Sequence, residues 1–221
     1  MLDARLKAVA HYIHGPVHVD IGSDHALLPM FLLDTSQVSK VIVVEKHRAP
    51  FERSVLALQS YIQSHKAEVR LGDGLAPIAV AEIDSASMSG MGANTMLKIL
   101  KADPNKVPPS LILQPNKGAE QLRAWALEQG FHLKEESLIK GFWSYGILHL
   151  QRGQGLDAAY DGVDLALGIA YGPQLLKEKH PLLVKHLVAE KTHVKKLILK
   201  GVDVKSRLES LESALSFMGV D

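Results

Sequence analysis

Three carboxylates follow three strand-like segments that are consecutive along the chain. Asp20 comes after an apolar run, Glu45 closes the run VIVV, and Asp73 follows a third extended segment. Ligands of open parallel sheets bind outside the carboxyl ends of the strands, where an acid about 20 residues beyond the first strand end holds ribose hydroxyls. Glu45 lies 25 positions after Asp20 and fits that offset. The three acids together predict a nucleoside site.

The loop after the first strand has the sequence Asp20-Ile21-Gly22-Ser23-Asp24-His25. One glycine allows close backbone approach, but the second and third glycines of G-x-G-x-x-G and the lysine of a P-loop are missing, which disfavours a phosphate site. Carboxylates in this position suit an aminoacyl ligand that carries an ammonium and a sulfonium. The alternative is that Ser23 or Asp24 only caps the following helix.

The next two strand ends suit the rest of a nucleoside. The two oxygens of Glu45 match a ribose diol, although an acid there is also typical of a solvated strand end. In Asp73-Gly74-Leu75, the carboxylate can accept from an adenine amino group and the leucine can cover the ring. At the fourth strand end, Gly90-Met91-Gly92 predicts that backbone closely approaches a ligand.

The fifth strand ends in Gln114-Pro115-Asn116, whose amides can donate to and accept from a base edge. A proline turn capped by Asn116 is the alternative. Trp143 and Tyr145 could stack on an extruded base, and Trp143 suits the protein core equally well. The eleven histidines form no H-E-x-x-H motif, and His11 and His14 lack a third ligand nearby, so no metal site is predicted.

Five strand–loop–helix units precede residue 130 and predict a parallel, doubly wound α/β sheet with right-handed crossovers. Two further extended segments, 131–139 and 144–151, predict an antiparallel hairpin at one edge. The resulting seven-stranded, Rossmann-like sheet is common among methyltransferases that use S-adenosylmethionine, an analogy of fold alone. We therefore expect a catalytic domain over 1–155 and a helical domain over 156–221.

The C-terminal region combines helical periodicity with positive charge. Heptad-like steps from Leu176 to Leu197 and from Val204 to Met218 predict two long helices that pack as a coiled-coil-like hairpin, with a break at Gly201. Residues 177–207 contain nine Lys or Arg and three acids. Such a basic segment beside a neutral body indicates a phosphate-backbone partner, or else a solvated helix face.

Composition excludes several other classes of protein. Lys and Arg (25) nearly balance Asp and Glu (24) in 221 residues, and 47% hydrophobic residues indicate a packed globule rather than a disordered chain. The absence of cysteine excludes disulfides, thiolate metal sites and a cysteine nucleophile. No apolar run approaches the roughly 18 residues of a membrane span, and the first residues do not resemble a secretion signal. We expect a cytoplasmic protein with no membrane contact.

The end of the fourth predicted strand also indicates which kind of atom could accept a methyl group. Enzymes that methylate an exocyclic amine usually carry an Asn/Asp/Ser-Pro-Pro-aromatic motif at this point, and the motif is missing here. A ring nitrogen such as adenine N1 already has a free lone pair, so orientation and exclusion of water suffice for its attack.

The motifs taken in order resemble the TrmK family of bacterial tRNA (adenine(22)-N1)-methyltransferases over nearly the whole chain. The resemblance is carried by DIGSDHA at 20–26, Glu45, GDGL at 72–75, GMG at 90–92, LILQPN at 111–116, Arg123-Ala124-Trp125 and Gly172-Pro173-Gln174-Leu175. It implies S-adenosylmethionine as donor, S-adenosylhomocysteine as product, no metal, and N1 of an adenine in the tRNA D-arm as acceptor.

The resemblance also implies roles for individual residues. Donor-binding residues would be Asp20, Gly22, Ser23, Asp24, Glu45, Asp73, Gly74, Leu75, Gly90, Met91 and Gly92. Residues that hold the target adenine would be Asp24, His25, Gln114 and Asn116. We expect tRNA contacts from Arg5 and from three lysines of the basic segment, Lys191, Lys195 and Lys196.

Three positions depart from the family pattern, at Leu27, Ala93 and Gly146. The first replaces an aromatic residue near the predicted acceptor site. Other possible functions are methylation of another RNA position or of a small molecule, and non-catalytic RNA binding with a relic donor pocket. Nothing in the sequence indicates an obligate protein partner, and we expect a monomer.

Overall fold

The computed structural model describes residues 2–140 and 144–220. Its centre is one seven-stranded sheet. The strands are β1 (Val17–Ile21), β2 (Lys40–Glu45), β3 (Ala67–Leu71), β4 (Ser85–Met91), β5 (Ser110–Pro115), β6 (Phe131–Lys140) and β7 (Ser144–Arg152). Each of the first five lies at a predicted strand. β1, β2 and β5 are largely apolar runs typical of buried parallel strands, whereas β4 is rich in serine.

The strand order is β3-β2-β1-β4-β5-β7-β6. The first five strands are parallel to one another, whereas β7 is antiparallel to both β5 and β6. The chain reverses its direction of travel across the sheet between β1 and β4, which is the switch point where α/β sheets bind ligands. The predicted parallel sheet and edge hairpin are confirmed.

Helices cover both faces of the sheet. They are α1 (Ala4–His11), α2 (Leu27–Asp34), α3 (Arg48–Ala57), α4 (Gln59–Gln63), α5 (Ala93–Ala102), α6 (Ala119–Glu128), α7 (Leu165–Tyr171), α8 (Pro173–Lys177), α9 (Pro181–Leu199) and α10 (Lys205–Phe217). One core lies under α5 and α6 and includes Met88, Met96 and Trp125. A second lies on the opposite face and includes Ile13 and Leu32. Between β3 and β4, residues 72–84 form turns and bends rather than a helix.

The C-terminal helices form a third core. Leu187 and Val194 of α9 pack against Leu211 and Leu215 of α10, and Gly201 turns the chain with a φ of +82°. The predicted helical hairpin is therefore present. The heptad pattern that begins at Leu176 nevertheless covers two helices rather than one, because Pro181 starts a new helix after a sharp turn.

A buried ion pair fixes the helical region to the sheet. Arg123 of α6 and Glu136 of β6 lie 3.1 Å apart, with 5% and 1% of their side chains exposed. Glu136 Oε1 also accepts from the backbone N–H of Gln174 at 2.8 Å, and Arg123 donates to the carbonyl of Ile169 at 3.1 Å. These bonds hold α7 and the start of α8 on the sheet. Among the described residues, no helix is long and apolar enough to cross a membrane.

Candidate active site at the carboxyl ends of the strands

A cavity of about 540 Å³ opens at the carboxyl ends of β1 to β4, at the switch point of the sheet. Its wall includes five of the predicted donor-binding residues, which are Gly22, Glu45, Asp73, Gly74 and Met91. Helix α5 supplies the facing wall through Asn94, Thr95, Lys98 and Ile99. The structure thus brings together residues that lie as much as 81 positions apart in the sequence, from Ile21 to Ala102.

Two glycines of this wall lie where a larger residue does not fit. At Gly74 the φ is +59°, and a Cβ would lie 2.6 Å from Ile99 Cγ2. At Gly22 the φ is +75°, and a Cβ would lie 3.2 Å from Met91 Cε. Glycine is required here both for the left-handed backbone and for the close approach of neighbouring elements. These contacts explain why the sequence has glycine immediately after β1 and again after Asp73.

The two acids nearest the switch point are buried. Asp20 is 3% exposed and Glu45 is 4% exposed. Burial raises the pKa of both carboxyls, and the charge of Asp20 adds to the rise in the pKa of Glu45. Glu45 Oε1 accepts from the backbone N–H of Asp24 at 2.6 Å, which ties the loop after β1 to the end of β2. A cation in the cavity would favour the ionised form of both acids.

Asp73 lies at the opposite, more open end of the cavity. Its carboxylate accepts from Lys46 Nζ at 2.7 Å, and more than half of each side chain is exposed. The Lys46 ammonium lowers the pKa of Asp73, so this acid is ionised at neutral pH. Lys98 also lines the cavity, and its charge lowers the pKa of Asp73 further.

The loop after β1 is held by polar contacts in a strained conformation. Asp24 has a φ of +61° and Ala26 has a φ of +52°, which non-glycine residues rarely adopt. Arg53 of α3 donates to Asp24 Oδ1, and His25 Nε2 lies 3.5 Å from Asp24 Oδ2. The hydrogen bond from Arg53 lowers the pKa of Asp24. The loop therefore presents an exposed, ionised carboxylate beside the cavity.

A bulge at Gly90 shapes the end of β4. The register between β4 and β5 shifts between Ser89 and Met91, and Gly90 has a φ of +77°. Its N–H donates to Gln114 Oε1 at 3.1 Å, and its carbonyl accepts from Asn116 Nδ2 at 2.6 Å. Both polar groups of the bulge are therefore satisfied by the two amides at the end of β5.

Arg5 joins the same cluster from α1. Its Nη1 donates to Gln114 Oε1 at 2.6 Å, and its guanidinium lies 5.9 Å from the ring centre of Tyr145. Gln114 is fully buried, and its Nε2 donates to the carbonyl of Pro115 at 3.1 Å. Asn116 is exposed. Of these two amides, only that of Asn116 faces solvent.

Other predicted site residues lie around the cavity rather than in its wall. Asp20 lies behind it, Leu75 is 1% exposed in the core under α5, Gly90 lies in the bulge of β4, and Ser23 and Gly92 lie in the adjoining loops. Trp143 lies outside the described residues. In the helical region, Lys191 and Lys195 lie 3.6 and 3.5 Å from Glu212 of α10, whereas Lys196, the next residue, is exposed on a different face of α9.

Several residues of this region were not predicted from the sequence. Lys46 and Arg53 pair with the acids of the site, and Lys98 and Ile99 line the cavity from α5. Lys46 directly follows Glu45, so its position at a strand end was a usable signal. No signal in the sequence indicated Arg53, because the packing of α3 against the loop after β1 depends on the tertiary fold. Among the described residues, no three His, Asp or Glu side chains cluster as metal ligands do.

Comparison with known proteins identifies the family of this chain. The family model "TrmK: tRNA (adenine(22)-N(1))-methyltransferase" matches residues 18–219. The chain belongs to the TrmK family. A Bacillus subtilis tRNA (adenine(22)-N(1))-methyltransferase is 35% identical over 219 residues, which cover 96% of this chain and 91% of the relative.

Solved structures of the TrmK family share the fold. The crystal structure of the Bacillus subtilis M1A22 tRNA methyltransferase TrmK has a TM-score of 0.86 at 33% identity, covering 99% of this chain and 97% of the other. A Streptococcus pneumoniae relative in complex with S-adenosyl-L-methionine has a TM-score of 0.84 at 28% identity, covering 97% of this chain and 100% of the other. The predicted family, Rossmann-like fold, donor and enzyme class are confirmed.

Proposed function

We propose that this chain transfers a methyl group from S-adenosylmethionine to N1 of adenine 22 in tRNA. The observation that carries the proposal is the cavity at the switch point, with Glu45 and Asp73 in its wall and Asp20 behind it, in a chain of the TrmK family. The acids suit the ribose, the adenine amino group and the cationic aminoacyl end of the donor, in the order predicted from the sequence.

The residues present fit this donor. Gly22 and Gly74 add no side chain to the cavity wall, and among the described residues the buried Ser89 Oγ has no hydrogen-bond partner. A bound ligand at the Gly90 bulge would satisfy that hydroxyl. Glu45 would accept from the ribose hydroxyls and Asp73 from the adenine amino group. When bound, S-adenosylmethionine supplies a methyl group activated by a sulfonium.

The end of β5 borders the proposed site of methyl transfer. We propose that Gln114 acts by fixing Gly90 and Arg5 rather than by touching the base, because it is fully buried and its amide oxygen already accepts from both. Asn116 is exposed and remains a candidate for the base edge. Since adenine N1 needs no proton removed, a fixed orientation and exclusion of water suffice for its attack.

Asp24 is the group best placed to stabilise the positive charge that the base gains. It is ionised, exposed and bordered by His25. An ionised carboxylate set beside developing positive charge stabilises the transition state electrostatically. Arg53 holds this carboxylate in position, and the exposed surfaces of Asp24 and His25 leave space for an extruded adenine.

The helical region from 156 to 221 is our candidate for holding the body of the tRNA. Lys185 and Lys196 of α9, and Lys200 directly after it, are exposed, and among the described residues none of the three pairs with an acid across the hairpin. Lys191 and Lys195 contribute less, because Glu212 lies close to both. We further propose that the protein is a cytoplasmic monomer, in keeping with a tRNA substrate and a complete cavity within one chain.

A methylation assay on tRNA transcripts tests the proposed function. Transcripts with adenine at position 22 should accept one methyl group, and nuclease digestion with mass analysis should place it on N1. A transcript with guanine at that position should accept none. Equal methylation of both transcripts would move the target to another nucleotide, and labelling of small molecules alone would exclude tRNA as the substrate.

A further inference from the structure

A chain of four buried polar side chains lies between β1 and β4, directly behind the cavity. The parallel register places His18 opposite Ser85 and Asp20 opposite Ser87. His18 Nδ1 lies 2.8 Å from Ser85 Oγ, and His18 Nε2 lies 2.9 Å from Ser87 Oγ. Ser87 Oγ lies 2.6 Å from Asp20 Oδ1. All four side chains are at most 3% exposed, so bonds to bulk water do not compete.

The charge of Asp20 fixes the direction of every bond in this chain. An ionised carboxylate only accepts, so the Ser87 hydroxyl must donate to it. Ser87 Oγ is then free to accept, and it accepts from a protonated Nε2 of His18. Burial lowers the pKa of His18 to about 3, so the ring is neutral and its Nδ1 accepts from Ser85. One tautomer and one direction satisfy all four groups.

We infer that Ser87, oriented by His18, is a positioning residue that fixes Asp20 as an ionised acceptor for the cationic aminoacyl end of the donor. This inference rests on the proposed function, which assigns that end of S-adenosylmethionine to Asp20. A buried carboxylate needs such support, because an unpaired buried charge is strongly unfavourable.

The surroundings of Asp20 make the bond from Ser87 important. Burial raises the pKa of Asp20, and the hydroxyls of Ser23 and Ser87 and the charge of Arg5 on α1 oppose the rise. The Glu45 carboxylate of β2 and Asp20 repel each other, while His18 is neutral. Loss of the Ser87 hydroxyl would therefore raise the pKa of Asp20 further. Protonated Asp20 does not attract a cation. As the solution is acidified, a variant without the Ser87 hydroxyl would therefore lose its affinity for S-adenosylmethionine at a higher pH than the wild type.

Calorimetric titration of S-adenosylmethionine between about pH 6 and pH 8 tests the inference on the full chain. Ser87→Ala should bind the donor about tenfold more weakly at neutral pH, with its loss of affinity shifted to higher pH, since hydrogen bonds to charged groups are among the stronger ones. Ser87→Thr retains the hydroxyl and should restore both the affinity and the pH profile.

Ser85→Ala is the matched control. It removes a buried hydroxyl from the same strand and the same histidine, but that hydroxyl does not bond to Asp20. Its donor affinity should change less than about threefold, because the bond from Ser87 remains. If both alanine variants bind equally well with one pH profile, the four-residue chain is structural and the inference is wrong.

The wild-type titration separates this inference from the proposed function. Absence of donor binding to the wild-type chain would contradict the proposed function and the inference together. Tight wild-type binding with an unchanged Ser87→Ala variant would contradict the inference alone. A nitrogen NMR spectrum adds a readout that needs no donor: His18 should be in the Nε2–H tautomer and should not titrate near neutral pH, and an Nδ1–H tautomer would overturn the assignment.

Discussion

The site at the carboxyl ends of the strands and the α9–α10 hairpin differ in the burial of their polar residues. At the sheet edge, Asp20, Glu45 and Gln114 are buried, and each is held by hydrogen bonds from residues far away in the sequence. On the hairpin, most charges are exposed, and Lys195 pairs with Glu212 across a solvent-facing surface. Hydrogen bonds in the interior are strong and hold their partners in one geometry, whereas exposed ion pairs contribute little to stability and exchange partners readily.

The difference indicates a division of labour. A small donor of fixed shape suits a rigid site in which each polar group has one position. A tRNA backbone presents many similar phosphates, for which mobile surface cations are sufficient. The predictions below test whether buried and exposed polar groups in this chain differ as much as this comparison requires.

The largest effect on stability should come from the buried pair that joins the two regions. Arg123→Met leaves Glu136 charged and buried without its partner, which should lower the free energy of unfolding by about 3–5 kcal/mol. Chemical denaturation measures this change. The control is Arg48→Met, which breaks a largely exposed pair with Glu52 and should cost under about 1 kcal/mol. Similar losses in the two variants would refute the contrast between buried and exposed pairs.

Asp73 should show an intermediate effect on donor binding. Asp73→Asn keeps the size of the side chain but removes the charge, which should weaken S-adenosylmethionine binding several-fold to about tenfold, since the bond is partly solvated. Calorimetry measures the affinity, and Asp161→Asn, which changes an exposed carboxylate outside the cavity wall, serves as control. Unchanged affinity for Asp73→Asn would remove this acid from the adenine site.

The sequence predicted the scaffold better than it predicted the contacts. Runs such as VIVV ending in Glu45 identified both a strand and its functional end, because strand polarity and burial are local properties of the chain. The bonds of His18 to Ser85 and Ser87 could not be predicted in the same way. They join residues 67 and 69 positions apart and depend on the register of β1 with β4.

The lysines of α9 show a second limit. Lys191, Lys195 and Lys196 looked equivalent in the sequence, since all three lie in one basic segment. Their environments differ because α10 brings Glu212 close to the first two. Packing determines which face of a helix contacts its neighbour, and a count of charges in the sequence cannot predict that face.

Lys196 should therefore matter more for tRNA than Lys191. Lys196→Glu should weaken tRNA binding several-fold and reduce the salt slope by about 1, because one exposed phosphate contact is lost. Lys191→Gln, at a mostly covered position, is the matched control and should change tRNA affinity little. Filter binding at several salt concentrations measures both variants. Equal effects would mean that the hairpin binds RNA through its paired side as well.

The smallest effect is expected at Glu212. Glu212→Gln should change the free energy of unfolding by less than about 1 kcal/mol, because its pairs with Lys191 and Lys195 are partly exposed. By freeing two cations it should also strengthen tRNA binding slightly. Thermal unfolding and filter binding check the two effects, and a marked loss of stability would place this pair among the interior bonds.

The most direct test of the central claim is a calorimetric titration of S-adenosylmethionine into the wild-type chain and Glu45→Ala. Glu45 lines the cavity, whereas Glu52 is an exposed residue of α3 and its alanine variant is the control. We predict one donor molecule per chain, loss of measurable binding in Glu45→Ala and unchanged binding in Glu52→Ala. Wild-type affinity in Glu45→Ala would contradict the assignment of this cavity to the donor.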